Sequence, residues 1–339
     1  MLDKRCNVIS AYLLVRVSIF VIFCVTATIF TYKSYHLLQN PDVDINLISR
    51  LQGPLSSDNP LLIKTLRNEY LEHPTHMPYN LTEDDEANSG YFLLHNRYTS
   101  KMIHHYINYL FGQQHSGFFI EAGALDGQFL SNTLWLEKDR GWDGLLIEAD
   151  PFNYKLLINK RRHAWISNTC LSFNNYPYKT LIKSMQQLDE DWGDPWVYRA
   201  RSEIYDPRKG DREIVERMST KSYSNVQCFP LLSYLLALNV TTVDFLSLDI
   251  QGHEWDVLKT LPLKQSKIRV IAVEHYVTDQ IGQREITKKW VADHSFIKYM
   301  EVNGYHILDF DHEPNYLFIL GTEKKLIDIA KNERSPDGR

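Results

Sequence analysis

The chain has 339 residues and a mass of 39.8 kDa, a length that allows one large domain with additional segments. Hydrophobic residues make up 44% and charged residues 23%, which is near the average for globular proteins and excludes collagen-like, low-complexity and wholly disordered chains. The net charge of −5 disfavours a nucleic-acid-binding protein that depends on phosphate contacts. The mean hydropathy of −0.34 excludes a protein that crosses the membrane many times, but it allows one membrane span.

An uncharged segment near the N-terminus, residues 17–32, predicts a membrane anchor. The segment is short for a bilayer, but Arg16 and Lys33 on either side can extend their charged ends to the two interfaces. Because more basic residues precede the segment than closely follow it, the positive-inside rule places the N-terminus in the cytosol. We therefore expect a cytosolic tail at 1–8, a transmembrane signal anchor at 9–32 and a lumenal remainder. A cleaved signal peptide is the alternative.

Residues 33–90 have the composition of a luminal stem, because prolines interrupt them repeatedly and favour an extended tether. Asn59 followed by Pro60 predicts the start of one short helix within the stem. The folded domain is expected at 91–322, and the spacing of its first apolar residues predicts a helix at 91–111.

Short apolar runs alternate with helical patterns along the expected domain. Strands are predicted at 117–121, 144–148, 165–172, 243–250 and 268–275, and a final antiparallel pair at 305–309 and 316–320. Helices are predicted at 131–138, 153–161, 253–260 and 287–302. This alternation predicts an α/β fold with a mostly parallel sheet, helices on both faces and an antiparallel hairpin at the edge.

Two segments lie outside this alternation. Residues 186–225 are polar and highly charged, and Pro195 and Pro207 interrupt them. A connection of this length is typical of an insertion; a lid and a partner-binding surface are the alternatives. Residues 323–339 are expected to form a C-terminal tail.

Acidic residues follow predicted strands at positions that suit ligand binding. Glu121 begins a turn that contains Gly123 and Gly127, while Glu148 and Asp249 end two other strands. Ligands of open α/β sheets lie beyond the carboxyl ends of the strands, where an acid after the second strand can accept hydrogen bonds from ribose hydroxyls. The G-x-x-x-G spacing does not match a pyrophosphate-binding G-x-G-x-x-G turn. The pattern indicates a nucleoside ligand without pyrophosphate, such as S-adenosylmethionine; the alternative is that these acids only cap strand ends.

Three stretches of the chain resemble the FkbM family of methyltransferases. They are FFIEAGALDGQFLSNTLWLE, GLLIEADPFNYKLL and DFLSLDIQGHEWDVL. The resemblance covers roughly residues 91–320 and is more specific to the Star-like branch found in arthropods. The run Ser131-Asn132-Thr133, the stretch Cys228-Phe229-Pro230-Leu231 and the predicted anchor and stem carry that finer resemblance.

The resemblance implies a Rossmann-like S-adenosylmethionine methyltransferase fold with a seven-stranded sheet. It also implies S-adenosylmethionine as cofactor, with binding residues at the matching positions Glu121, Gly123, Asp126, Gly127, Glu148 and Asp249. The Star-like branch includes a type II membrane protein associated with the export of EGF-receptor ligands from the endoplasmic reticulum, so an EGF-like ligand is implied as cargo. The two implications differ, and a fold alone does not determine which function is present.

Methyl transfer to a hydroxyl needs a base that takes the hydroxyl proton. The candidates near the ends of the fourth and fifth predicted strands are His253, Glu254, Glu274 and His275. We predict His253 and Glu254 as the catalytic residues. The alternatives are an ordinary packing role for His253 at a helix N-terminus and a favourable interaction of Glu254 with the helix dipole.

Sequons and cysteines bear on the cellular compartment. Asn80 and Asn239 begin N-x-Thr sequons, which predict glycosylation in the lumen. Outside the predicted tail and anchor, the cysteines are Cys170 and Cys228, which form either one disulfide or two buried thiols. No cysteine or histidine spacing typical of zinc occurs in the sequence, so no metal is expected.

Three functions are consistent with the sequence. The first is a Star-like type II membrane protein that acts in export of EGF-type ligands from the endoplasmic reticulum to the Golgi, with or without retained S-adenosylmethionine binding. The second is an S-adenosylmethionine-dependent O-methyltransferase of the secretory pathway. The third is a Golgi glycosyltransferase, for which Asp309-Phe310-Asp311 supplies a D-x-D that a turn between strands also explains.

The expected partners are the membrane, an EGF-like cargo and secretory-pathway proteins, without nucleic acid. The expected location is the endoplasmic reticulum and Golgi, with the endosome and the plasma membrane as further options.

Overall fold

The structure, a computed structural model, describes residues 26, 28, 55–82, 101–112, 114–187, 198–207, 219–275, 292–310 and 315–332. The chain divides into two compact units, Met1–Arg50 and Leu51–Arg339, and the elements below belong to the second. The predicted anchor lies outside the described residues apart from the helical Thr26 and Thr28. In the part of the chain that the structure describes, no helix combines the length and apolarity that a bilayer span requires.

Helices and strands of the second unit alternate for most of its length. The helices are α1 (Pro60–Glu69), α2 (Lys101–Phe111), α3 (Leu134–Arg140), α4 (Pro151–Asn159), α5 (Leu231–Ala237), α6 (Glu254–Lys259), α7 (His294–Val302) and α8 (Lys324–Lys331). The strands are β1 (Phe118–Ala122), β2 (Asp143–Ile147), β3 (Trp165–Ser167), β4 (Cys170–Leu171), β5 (Tyr178–Gln187), β6 (Glu203–Ile204), β7 (Ser219–Phe229), β8 (Thr242–Leu248), β9 (Lys267–Glu274), β10 (Tyr305–Phe310) and β11 (Asn315–Leu320).

The main sheet has seven strands among the described residues, in the order β10-β11-β9-β8-β1-β2-β3. The pairs from β9 to β3 are parallel, which confirms the predicted mixed α/β fold with a mostly parallel sheet. The predicted antiparallel hairpin is also present, as β10 and β11 at one edge of the sheet. Strand β11 is antiparallel to both β9 and β10, so it lies inside the sheet and β10 forms the edge.

Apolar side chains make the central strands fully buried. Phe119 of β1 and Phe245 of β8 have no exposed surface, and they share one core cluster with Ile107 of α2 and Leu326 of α8. Strands covered by helices on both faces are apolar along their whole length, which is why these strands could be predicted from sequence. Because both faces of the sheet are covered, a ligand can contact polar groups at the carboxyl ends of the strands.

A second sheet, in the order β4-β7-β5-β6, was not predicted. The predicted strand at 165–172 is two short strands in different sheets, β3 and β4. Strands β5 and β7 pair antiparallel from Tyr178↔Cys228 to Gln187↔Ser219, so the ends of the predicted insertion at 186–225 are sheet rather than loop. Their polar, partly exposed residues lack the apolar run by which the main strands were recognised.

Residues 55–82 lie against the domain instead of forming a free tether. Asn59 caps α1, accepting hydrogen bonds from the backbone of Leu61 and Leu62, as predicted from the Asn-Pro pair. Helix α1 packs against α5, and Glu72 forms a β-bridge with Ile166 of the edge strand β3. This part of the predicted stem therefore belongs to the compact unit.

Several helix boundaries differ from prediction. Helix α3 begins at Leu134 rather than at 131, because the preceding residues form a buried turn. Asp150 caps α4 ahead of Pro151, and Asp293 caps α7 ahead of His294, so both helices begin where a side-chain oxygen satisfies free backbone N–H groups. Helix α5 was missed, and α8 lies in the predicted C-terminal tail.

Candidate functional site

A cavity lies at the carboxyl ends of β1, β2 and β8. From β1 the chain builds β2 and β3 on one side, and it later places β8 and β9 on the other. Loops therefore part on either side of β1, and ligands of open α/β sheets bind at such a point. Of the six predicted cofactor residues, Glu121, Gly123, Glu148 and Asp249 line the cavity.

The turn after β1 requires glycine at position 123. Gly123 has φ +85°, and a Cβ at this position would collide with the carbonyl oxygen of Asp249 after β8. Its N–H and that of Ala124 donate to the carbonyl of Ile147 at 2.9 and 3.1 Å. The close approach of the β1 and β8 loops thus depends on the absence of a side chain, which brings Asp249 to the same cavity wall.

Glu148 is a buried acid directly after β2, with 5% of its surface exposed. Its Oε2 accepts a hydrogen bond from the N–H of Leu125 at 2.7 Å, and its Oε1 accepts one from the N–H of Asp150 at 2.8 Å. Burial raises the pKa of Glu148 to about 8, against the opposing effect of these hydrogen bonds. Each carboxyl oxygen has two lone pairs, so Glu148 retains acceptor capacity toward the cavity.

Glu121 supports the site from within the protein. Its carboxylate accepts hydrogen bonds from the hydroxyls of Ser131 and Thr133 and from the N–H of Asn132. Burial raises the pKa of Glu121, and nearby Arg162 acts in the opposite direction. The acid is largely committed to holding the turn before α3, so it shapes the cavity more than it offers a free acceptor.

Asp126 and Gly127 do not line the cavity. Asp126 accepts hydrogen bonds from the N–H groups of Gln128 and Phe129 at 2.9 and 2.7 Å, which stabilises the turn. Gly127 has φ +77°, and a Cβ there would collide with the side chain of Leu157. Both residues therefore maintain the loop that carries Gly123.

The backbone around the cavity contains left-handed residues that are not glycine. Leu125, Leu130 and Gln251 line it with φ of 51°, 55° and 62°. Such conformations cost about 1–3 kcal/mol each and cluster at functional sites. Gln251 Nε2 donates to Asp249 Oδ1 at 2.9 Å and to Glu274 Oε2 at 3.2 Å, so its unusual conformation places one amide between two carboxylates at the ends of β8 and β9.

Comparison with family models identifies the domain that contains this site. The model described as Methyltransferase FkbM domain matches residues 121–307, which is more than half of the chain. The chain belongs to this family. Comparison with curated proteins and with solved structures returned no match. The matched range begins at Glu121 and includes every cavity-lining residue named above, so the geometry described is that of the FkbM domain.

The predicted catalytic residues lie outside the cavity lining of the FkbM domain. Glu254 is buried, and its Oε1 accepts hydrogen bonds from the N–H groups of Ile250 and Gly252 at 2.9 Å each. Burial raises the pKa of Glu254 to about 7. Its contacts indicate a role in holding the loop after β8.

His253 stacks on Phe173, with ring centroids 4.6 Å apart, and its Nδ1 lies 3.4 Å from Asp256 Oδ2. Of the other two candidates, Glu274 accepts from Gln251 and His275 contacts Asp293, with 3.0 Å between His275 Nε2 and Asp293 Oδ2. Asp249 is the predicted site residue at the end of β8 that does line the cavity.

Part of the cavity wall of the FkbM domain was missed by sequence reasoning. Five of the residues 199–204 (all except Arg201), Ile182 of β5 and both β4 residues line it. Ser202 Oγ donates to Asp150 Oδ2 at 2.6 Å, and Asn153 Nδ2 donates to the carbonyl of Arg199 at 3.2 Å. These two bonds fasten the 199–204 segment to the start of α4. No local sequence signal marks them, because they join residues about fifty positions apart.

The cysteines and sequons occupy distinct places on the domain. Cys170 and Cys228 are paired in adjacent strands β4 and β7 and joined by a disulfide, and Cys170 also lines the cavity. Asn80 and Asn239 are both exposed. The disulfide therefore ties the second sheet to the cavity wall, while both sequon asparagines lie at the surface.

Proposed function

We propose that the FkbM domain binds S-adenosylmethionine in the cavity at the ends of β1, β2 and β8 and uses it to methylate a hydroxyl group. The observation that carries the proposal is the combination of the Gly123 turn, which allows close approach to the backbone, with the buried acceptor Glu148 on the same cavity. S-adenosylmethionine supplies an electrophilic methyl group. Its nucleoside needs an acceptor for ribose hydroxyls and no pyrophosphate cradle, and the residues present fit both conditions.

The chain's own residues have separate roles in this proposal. Glu148 accepts hydrogen bonds from the ribose, Gly123 leaves room beside the β1 turn, and Asp126 and Glu121 maintain the loops on either side. Asp249 is the carboxylate placed to accept the proton of the acceptor hydroxyl. In this proposal His253 and Glu254 maintain the shape of the β8 loop and do not take the proton.

Calorimetric titration of the purified full chain with S-adenosylmethionine tests the proposal. Saturable one-to-one binding is expected, with loss of binding in Gly123→Val and at least tenfold weakening in Glu148→Ala. Gly304→Ala is a matched control, since Gly304 also has a left-handed φ (+92°) but has open space around its missing Cβ and does not line the cavity. Absence of binding to the folded wild-type chain would refute the proposal.

A second candidate function is favoured by the disulfide. We propose a Star-like type II membrane protein whose FkbM domain lies in the lumen of the endoplasmic reticulum and Golgi and promotes export of an EGF-like ligand. A Cys170–Cys228 disulfide is stable in an oxidising compartment, and the exposed sequons and the predicted anchor agree with that location. The glycosyltransferase alternative is not carried further, because the cavity belongs to a methyltransferase family.

Cells that export a transmembrane EGF-like ligand provide the test of this second function. Removing the protein should retain the ligand in the endoplasmic reticulum, and the wild-type chain should restore its export. Restoration by Glu148→Ala as well would show that export does not need the cofactor. Unchanged export after removal of the protein would refute the trafficking role, whatever the outcome of the calorimetry.

A further inference from the structure

We propose that Asn153 is a ligand-recognition residue of the cavity whose Oδ1 accepts a hydrogen bond from a donor on the adenosine part of the ligand. Asn153 lies in the first turn of α4 and lines the cavity. Only 1% of its surface is exposed. The inference rests on the proposed S-adenosylmethionine site and adds a residue that neither the family comparison nor the sequence pattern assigns.

The Asn153 side chain is satisfied at one end and not at the other. Its Nδ2 donates to the carbonyl of Arg199 at 3.2 Å. Its Oδ1 is buried and has no hydrogen-bond partner among the described residues. A buried carbonyl oxygen without a partner costs free energy that a bound donor recovers.

The orientation of the Asn153 amide is determined by its neighbours. The group that faces Nδ2, the Arg199 carbonyl, is a hydrogen-bond acceptor only. Exchanging the amide nitrogen and oxygen would place oxygen against oxygen at this contact. The unpartnered atom is therefore the oxygen, and the missing partner must be an N–H or O–H donor.

The start of α4 keeps this oxygen in place. Asp150 caps the helix by accepting from the N–H of Phe152 at 2.8 Å, and its other oxygen accepts from Ser202. Asn153 is thus held in place by its own helix, α4, and by the 199–204 segment. A polar group held in this way is preorganised to accept a hydrogen bond from the ligand. Ligands that lack the donor therefore bind more weakly.

The chemical identity of the ligand donor follows from the position of Asn153 in the same cavity as Glu148. Glu148 is the proposed acceptor for ribose hydroxyls, and both residues line that cavity. A donor that reaches Asn153 Oδ1 therefore belongs to the nucleoside, either as a ribose hydroxyl or as the exocyclic amino group of adenine. Both supply the same hydrogen bond, and modified ligands distinguish them.

The test combines ligand and protein changes in one cycle. Calorimetry on the full chain compares S-adenosylhomocysteine with its 6-oxo purine, 2′-deoxy and 3′-deoxy analogues. One of these analogues lacks the group that donates to Asn153 Oδ1. Wild type is expected to bind that analogue about tenfold more weakly than S-adenosylhomocysteine. In Asn153→Leu and in the smaller Asn153→Ser, that tenfold difference should disappear.

Ser202→Ala is the matched control, because it removes the other bond between the 199–204 segment and α4 while leaving Asn153 unchanged. It should weaken all ligands by a similar factor and retain the tenfold difference. The inference is overturned if wild type binds every analogue as tightly as S-adenosylhomocysteine, or if the difference persists in both Asn153 variants. Failure of wild type to bind S-adenosylhomocysteine at all would instead overturn the proposed function, and the inference with it.

Discussion

The carboxyl group of Glu148 makes the stability of the domain depend on pH. Burial raises its pKa to about 8, whereas in the unfolded chain it titrates near the ordinary value of about 4.3. Between these values the folded state keeps a proton that the unfolded state has released. The contribution of this group is therefore complete below the unfolded pKa and is lost as pH rises through the folded pKa.

We expect the free energy of unfolding to fall between about pH 5 and pH 8, by up to about 1.4 kcal/mol per pH unit from this group. Glu148→Gln should remove that part of the slope, because the amide does not titrate. Urea denaturation at several pH values measures it. Asp143→Asn, at an exposed position, is the control and should keep the wild-type slope; an unchanged slope in Glu148→Gln would contradict the argument.

The residues of the site differ in how well their positions and roles could be predicted from the sequence. Gly123 and Glu148 could be placed because each directly follows a strand whose apolar residues are contiguous. Their neighbours Asn153 and Ser202 could not, since their roles arise from contacts with residues 46 and 52 positions away. Glu254 was correctly expected near the start of a helix. Only the structure shows that its carboxyl group accepts a hydrogen bond from the backbone of the β8 loop.

At the scale of elements, the second sheet depends on the covalent link between β4 and β7. The disulfide closes a segment with a sequence separation of 58, and its cysteines pack with Ile182 and Val226. Ile182 also lines the cavity. Loosening this sheet is therefore expected to act on both stability and ligand binding.

The double variant Cys170→Ser/Cys228→Ser should lose about 2–5 kcal/mol of unfolding free energy and bind S-adenosylmethionine more weakly. Chemical denaturation and calorimetry measure the two effects. Wild type treated with a reductant should resemble the double variant, and the double variant should not respond to the reductant. Equal stability of wild type and variant would show that packing alone holds the sheet.

Helix α1 provides a second prediction at this scale, because it lies in what the sequence presented as a tether. Leu66 is completely buried, so Leu66→Ala should destabilise the domain by about 2–5 kcal/mol. Asn68→Ala, at an exposed position of the same helix, should change stability by less than about 0.5 kcal/mol. Similar small effects of both substitutions in urea denaturation would mean that α1 does not contribute to the core.

The elements that the sequence failed to predict share a physical cause. Helix α1 was predicted from the Asn-Pro pair, but its packing against α5 was not, because that contact joins residues far apart in the sequence. Strands β5 and β7 carry Thr, Ser, Lys and Tyr at partly exposed positions, so their stability comes from pairing with each other across a long connection. Burial in the main sheet leaves a local pattern in the sequence, whereas long-range pairing of polar strands does not.

At the scale of the whole molecule, the compartment can be tested through the two sequons. If the proposed luminal orientation holds, Asn80 and Asn239, which are both exposed, should carry glycans. Endoglycosidase treatment of the protein from cells should then increase its gel mobility, with a smaller change for each of Asn80→Gln and Asn239→Gln and none for the double variant. An unmodified wild-type chain would contradict the luminal proposal.

The position of β11 also affects how the chain reaches its folded state during synthesis. The strand that completes the sheet, Asn315–Leu320, is made after both of its neighbours, β9 and β10. Until it emerges from the ribosome, β9 has a bare backbone edge, and an exposed sheet edge is a template for pairing with another chain. A premature stop after β10 would leave that edge permanently open, so nascent and truncated chains depend on chaperones more than the finished protein does.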